Sequence, residues 1–249
     1  MAFKVVIPSY AREKLIIRSV VPTLPGNNIY VVVFHEEVER YRKYLDLVDE
    51  ERRIHVVGID SSIRGLRLKM DWIVQNLWEP NDEFIFKLDD DIAKFYWAMG
   101  EEEITLSGAD IINVVQDTAE MAKMVGSRVF GFMHLNKIQH AKRTAPFSFR
   151  RTVGGCYGML DRSIRYNDKI EHAEDIDYSL WCMFRDGITF TNGMVCFKTL
   201  GSIGTTPGGC AAVRTTKGMQ EANARLLQKY GSFAQQIYMR TKEHKVNIM

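Results

Sequence analysis

The chain has 249 residues, 46% hydrophobic and 26% charged, with a net charge of +2. This composition excludes wholesale disorder and a uniform polycation, and the length suits one large α/β unit or two small ones. The charge is uneven: Glu79 to Glu103 is acidic, Lys137 to Arg151 carries Lys137, Lys142, Arg143, Arg150 and Arg151 with no acid, and the stretch from Val213 onward is mostly basic. Ordinary solvated charge explains this as well as an anionic partner bound through a metal does.

In chain order, Phe3-Lys4-Val5-Val6-Ile7, stopped by Pro8, reads as a buried strand rather than a signal peptide. Pro8-Ser9-Tyr10 ends it in a loop, and Glu13 to Val20 forms a short helix closed by Pro22 and Pro25. Ile29 to Phe34 is a second strand, Glu36 to Leu47 has helical spacing, and Ile54 to Ile59 is a third strand. Gly65 opens a helix whose apolar stripe is Leu66, Met70, Ile73, Val74 and Leu77. Glu83 to Leu88 is a fourth strand and runs into Asp89-Asp90-Asp91. Ser107 and Asp110 form a capping box for a helix through Val125. Arg128 to Met133 and Val153 to Leu160 are further strands, Ala173 to Arg185 is a helix ending at Gly187, and Ile188 to Phe197 is strand-like. Gly201 to Gly209 is a loop and Lys217 to Tyr230 a final amphipathic helix.

Strand–helix alternation over the first part of the chain predicts a Rossmann-like α/β fold, a mostly parallel mixed central sheet flanked by helices. With no linker or repeat, residues 1–249 read as a single domain, 1–92 forming one half and 93–249 the other. The four cysteines, Cys156, Cys182, Cys196 and Cys210, include no C-x-x-C pair, so neither a zinc site nor a disulfide framework is expected and a reducing, cytoplasmic setting follows. No apolar stretch approaches membrane-spanning length, so no membrane partner is expected.

The Asp89-Asp90-Asp91 run is the chemical centre of the sequence. Three adjacent carboxylates after a buried strand repel one another unless a cation offsets them. Ligands collect at the carboxyl ends of parallel strands, and hard oxygen ligands suit Mg²⁺ or Mn²⁺ bridging phosphates. The competing structural reading is an acidic turn in which Asp90 or Asp91 caps a following helix. Arg64, Gly65, Arg67 and Lys69 lie at a helix start that favours an anion, although a solvated helix face explains them too. Gly154-Gly155 within a strand-like stretch marks close approach by a ligand or a bulge. Glu174-Asp175 offers general-base carboxylates, or simply favourable charge at a helix start.

These ordered motifs, from Phe3 to about Gly209, resemble the GT-A glycosyltransferases. Val5-Val6-Ile7-Pro8-Ser9-Tyr10-Ala11-Arg12 is similar to their first strand and nucleotide-binding loop. Gly65 to Trp72 followed by the Asp run is similar to their donor helix and D-x-D motif, and His172-Ala173-Glu174-Asp175 to their later acidic element. Within that group the chain resembles the small phage family associated with TET-type dioxygenases, which implies glycosylation of 5-hydroxymethylcytosine in DNA in the host cytoplasm.

The resemblance implies a divalent metal, Mn²⁺ or Mg²⁺, and a nucleotide-sugar donor, a UDP-sugar. Asp91 would be the most direct metal ligand with Asp89 beside it. Asp89 would also hold ribose or sugar, and Asp90 would orient the site. Pro8, Ser9, Tyr10 and Arg12 would receive base and ribose, Tyr10 by stacking and Arg12 by meeting a phosphate, though Tyr10 equally reads as a packed loop aromatic. Relatives have Arg-Asn where this chain has Met70-Asp71. Arg67 or Lys69 would replace that cation and Asp71 would take a sugar hydroxyl. Gly154 and Gly155 would line the sugar pocket, and Asp175, with Glu174 as the alternative, would deprotonate the acceptor in an inverting displacement. His172 has no single reading, and neither it nor His244 is assigned as a third metal ligand. Ser202, Thr205, Thr206, Gly208 and Gly209 offer phosphate contacts.

For the acceptor, Lys142, Arg143, Arg150 and Arg151 flank Phe147 and Phe149, a basic and aromatic pattern that suits nucleic acid. Arg214, Lys217, Arg225 and Lys229 extend it. The same residues also fit a basic loop around an anionic donor with a glycan or protein acceptor. A sugar-nucleotide nucleotidyltransferase would carry a glycine-rich loop after the first strand, which Pro8 to Arg12 lacks. A non-catalytic DNA-binding module would leave the acidic motifs without purpose.

Overall fold

The computed structural model describes residues 2–51, 53–99, 102–135, 145–163, 166, 170, 172–201, 208–209 and 215–237. Four parallel strands, β1 (Phe3–Pro8), β2 (Ile29–Phe34), β3 (Ile54–Ile59) and β4 (Phe84–Leu88), stand in the order β3-β2-β1-β4. All six residues of β1 are buried, as expected of a strand covered on both faces. Helices α1 (Glu13–Ile16), α2 (Val38–Leu45, after a 3-10 turn at His35–Glu37) and α3 (Leu66–Asn76) connect these strands. The first helix stops at Ile16, four residues before the expected Val20.

The sheet continues through β9 (Cys156–Met159), β7 (Val129–His134), β10 (Phe190–Thr199), β5 (Ile92–Met99) and β6 (Glu102–Thr105), with β8 (Phe147–Ser148) on β10. β9 is antiparallel to both β4 and β7, so the sheet is mixed. Helix α4 (Gly108–Met124) starts at the expected capping box, with Ser107 Oγ accepting from the Asp110 amide. Helix α5 (Glu174–Asp186) ends at the left-handed Gly187, and α6 (Thr216–Tyr230) and α7 (Ser232–Ile237) follow. The Asp run is followed by strand β5 and caps no helix, which removes the helix-cap reading of Asp90 and Asp91.

Apolar side chains fill both faces of the sheet. Tyr41 and Leu45 of α2 and Ile111, Val115 and Ala119 of α4 pack on one face. Met70, Ile73 and Val74 of α3 and Tyr178 and Cys182 of α5 pack on the other. The chain leaves β1 towards β2 on one side, and β4 lies on β1's other side. The carboxyl ends of β1 and β4 therefore form the crevice at a topological switch point, where open α/β sheets bind ligands. No described helix is long and apolar enough to cross a membrane.

Candidate active site

The loop after β1 and the Asp run after β4 meet across that crevice. The Arg12 amide donates to the Tyr41 hydroxyl at 2.9 Å, and the Tyr41 and Ser9 hydroxyls lie 2.6 Å apart. Ser9 Oγ donates its one proton to Asp90 Oδ2, so Tyr41 must donate to Ser9. Glu37, buried at the start of α2, accepts from the amides of Ala11 at 2.8 Å and Phe34 at 3.3 Å. These bonds hold Ala11 at φ 52°, one of two non-glycine residues with positive φ among the described residues. The other is Ala173, at φ 79°, immediately before Glu174. Left-handed backbone at a non-glycine residue costs about 1–3 kcal/mol and persists where surrounding structure enforces it. It occurs here at both expected functional loops.

Arg12 Nη1 lies 2.7 Å from Asp90 Oδ1 and 3.2 Å from Asp91 Oδ2. Burial pushes the Asp90 carboxyl up to about 6 against the opposing pull of Arg12. Asp91 is also raised, by burial and then by the charge of Asp89. Asp89 pairs with Lys87, and its amide donates to Gly155 O at 2.9 Å. Each Asp thus has a distinct setting: Asp90 locked to the loop, Asp91 and Asp89 nearer the opening.

Gly155 leads back to the second acidic element. A Cβ built on Gly154 would stand 2.7 Å from Asp175 Oδ2, and one on Gly155 3.6 Å from Asp89 Oδ2. Two consecutive glycines thus stand against both Asp89 and Asp175. Glu174 is buried and its carboxyl is raised by burial and then by Asp175, whereas Asp175 is half-buried and its Oδ1 accepts from the Ile176 amide at 2.8 Å. Behind them, Asp177 Oδ1 accepts from Lys229 Nζ at 2.7 Å and the Tyr230 hydroxyl at 2.8 Å, tying α6 to α5.

The other expected residues divide. Tyr10 is 39% exposed and packs T-shaped against Phe34, with ring centroids 5.6 Å apart. Gly65, at φ 91°, has nothing within 4 Å of a built Cβ, which leaves its backbone accessible. Arg67 Nη1 lies 3.4 Å from Asp71 Oδ2. Asp71 Oδ1 accepts from the Tyr166 amide at 3.3 Å, so Asp71 bridges α3 to Tyr166. Lys69 does not present its charge to solvent: it is 4% exposed, and Nζ donates to Ser9 O at 2.6 Å and Val32 O at 3.3 Å. It supports the loop from below. Arg64 donates through Nε to Ser61 O on the surface.

Phe147 stacks on Phe190, and the exposed Phe149 leans on the same ring. Arg150 and Arg151 are exposed and lead directly towards Gly154. Lys217 and Arg225 are exposed on α6, while Lys229 is engaged by Asp177. Half-buried His172 sits beside Gly218 at the start of α6, and Gly209 donates through its amide to Tyr10 O at 2.7 Å. Lys137, Lys142, Arg143, Ser202, Thr205, Thr206, Cys210, Arg214 and His244 lie outside the described residues. The described cysteines, Cys156, Cys182 and Cys196, are free and buried.

Sequence reading missed Tyr41, Glu37 and Lys87. A lone lysine within the apolar Phe84–Leu88 strand was the one available signal for the last. Among the described residues no group of three His, Cys, Asp or Glu forms a ready-made metal cage. The half-buried carboxylates of Asp89 and Asp91, paired with Lys87 and Arg12, are the oxygen donors that would hold a hard cation here.

A family model described as TET-Associated Glycosyltransferase matches residues 3–196. No curated protein sequence matches the chain significantly. Among solved structures, mouse xyloside xylosyltransferase 1 in its apo form is similar at 8% identity, covering 64% of this chain and 67% of that one, with a TM-score of 0.36. The 4-diphosphocytidyl-2C-methyl-D-erythritol synthase of Anaerococcus prevotii is similar at 11% identity, covering 74% and 75%, with a TM-score of 0.35. Mannose-1-phosphate geranyltransferase of Thermus thermophilus is similar at 12% identity, covering 95% and 64%, with a TM-score of 0.33.

Proposed function

The chain belongs to the TET-associated glycosyltransferase family, and we propose that it transfers a sugar from a UDP-sugar to the hydroxyl of 5-hydroxymethylcytosine in phage DNA, with inversion at the anomeric carbon. The observation that carries this reading is the Gly154–Gly155 segment, which stands against Asp175 on one residue and Asp89 on the next. Acceptor activation and donor anchoring are thereby adjacent, and the absent side chains let the backbone approach both carboxylates closely.

A divalent ion, Mn²⁺ or Mg²⁺, held by Asp91 and Asp89 with the donor diphosphate, would stabilise the charge of the departing nucleotide. The chain's own groups do the rest. Tyr10 stacks on the base, and the backbone at Gly65 and the start of α3 receives the anion. Arg12 supplies positive charge beside Asp90 and Asp91, and Asp90 fixes the Ser9 loop. Asp175 takes the proton from the acceptor hydroxyl, whose oxygen attacks the anomeric carbon opposite the leaving group. Asp175 fits that role better than Glu174, because Glu174 is buried whereas Asp175 is half-buried and stands against Gly154. Phe149, Arg150 and Arg151 give DNA an aromatic and cationic approach to Gly154. Residues 1–92 then serve the donor and 93–249 the acceptor within one domain, acting in the reducing cytoplasm of a host.

Asp175→Asn tests the assignment. Donor binding by calorimetry is retained and transfer is lost; turnover at the wild-type rate removes Asp175 from the role.

A further inference from the structure

Lys87 has no place in the transfer just described, yet it stands at the centre of the acidic cluster. It lies on β4, 2% exposed, with Nζ paired to Asp89 Oδ1 and 3.4 Å from Gly155 O. Its ammonium also lies 5.5 Å from the centroid of the Tyr157 ring. A buried lysine without anions would lose its proton. The Asp89 carboxylate paired to it offsets the cost of burying its charge. The lysine thus joins the Asp run to the carbonyl of Gly155, in the segment that stands against Asp89 and Asp175.

We propose that Lys87 is the resident counter-cation of this site, a positioning residue that aims Asp89 and offsets part of the negative charge, and so limits how tightly a divalent ion is held. The inference rests on the metal reading of Asp89 and Asp91. Asp89 cannot turn freely towards a metal while one oxygen is held by Lys87, which fixes the direction of its other oxygen beside Gly155. With Arg12, among the described residues, as the only remaining cation against the five carboxylates, the site would hold a divalent ion more tightly and release the metal–diphosphate product more slowly. Lys87 keeps the ion exchangeable.

The test is Mn²⁺ binding to the full chain, measured by calorimetry and by the electron paramagnetic resonance signal of free Mn²⁺, for the wild type and Lys87→Met. Methionine keeps the length of the side chain and removes its charge. The variant is expected to bind Mn²⁺ roughly tenfold more tightly, the scale of one lost neighbouring charge, while kcat for transfer falls. A merely structural lysine would leave metal affinity unchanged or weaken it, and either result in a folded Lys87→Met chain overturns the proposal. Binding by the variant but not by the wild type keeps the counter-cation and overturns the metal reading of the wild type. Binding by neither overturns both. Should Lys87→Met fail to fold, the same Mn²⁺ titration of Lys87→Gln, which keeps a polar group beside Asp89 without the charge, decides: tighter binding than wild type supports the proposal, and unchanged or weaker binding, or no folded chain, overturns it.

Discussion

Gly154 stands directly against Asp175: a methyl group on Gly154 would come within 2.7 Å of Asp175 Oδ2. Gly154 is outside the left-handed region that its neighbour Gly155 occupies at φ 73°, so alanine there meets the carboxylate without straining the backbone. Gly154→Ala therefore displaces the proposed base and little else. Steady-state kinetics should show kcat reduced by about 10- to 100-fold, the scale of a misplacement near 1 Å, with donor KM within about twofold of wild type. An unchanged kcat would separate Asp175 from the chemistry.

Tyr10 is exposed beside Phe34. Removing it with Tyr10→Ala takes away stacking on the donor base, worth about 1–3 kcal/mol by analogy with single-strand recognition. UDP affinity measured by calorimetry should weaken by about tenfold or more, and DNA affinity should not move. A Tyr10→Ala chain that binds UDP as wild type does would return this residue to ordinary loop packing.

Arg150 and Arg151 are exposed beside Phe149. If they meet phosphates, Arg150→Ala with Arg151→Ala lowers the slope of log affinity against log salt by about two. Fluorescence anisotropy on hydroxymethylated duplexes across a salt series measures this. An unaltered slope would place the DNA elsewhere on the chain.

Glu174 gives a pH dependence whose sign is fixed. Its folded pKa is raised by burial and by Asp175, so the folded chain holds that proton more tightly than the unfolded chain. The associated stability is complete below the ordinary value of 4.5 and is lost as pH rises through the raised value towards neutrality. Thermal melts should therefore show Glu174→Gln gaining Tm relative to wild type between pH 4.5 and pH 8. A constant difference across that range would contradict the raised pKa.

Much of the fold around the candidate site was legible in the sequence because its elements are local. Uninterrupted apolar runs announced β1 to β4, and the Asp run marked the end of the fourth. Strand β5 escaped because Ile92–Met99 is largely apolar on both faces and lacks clear alternation, and the acidic residues after it disguised the turn into β6. Lys69 was misplaced through neglect of helical phase: it lies three residues after Leu66 and four before Ile73, on the buried face. Tyr41, Glu37 and Lys87 were out of reach for another reason. Their partners at Ser9, Ala11 and Gly155 are brought to them only by the sheet.

The most direct measurement is mass spectrometry of DNA incubated with the chain, a panel of UDP-sugars and Mn²⁺, comparing hydroxymethylated with plain duplexes. The expected result is the mass of one sugar added per modified 5-hydroxymethylcytosine, absent on plain DNA, and abolished by Asp89→Ala with Asp91→Ala or by chelator. No transfer from any UDP-sugar to hydroxymethylated DNA, or full transfer by the double variant in chelator, would contradict the account.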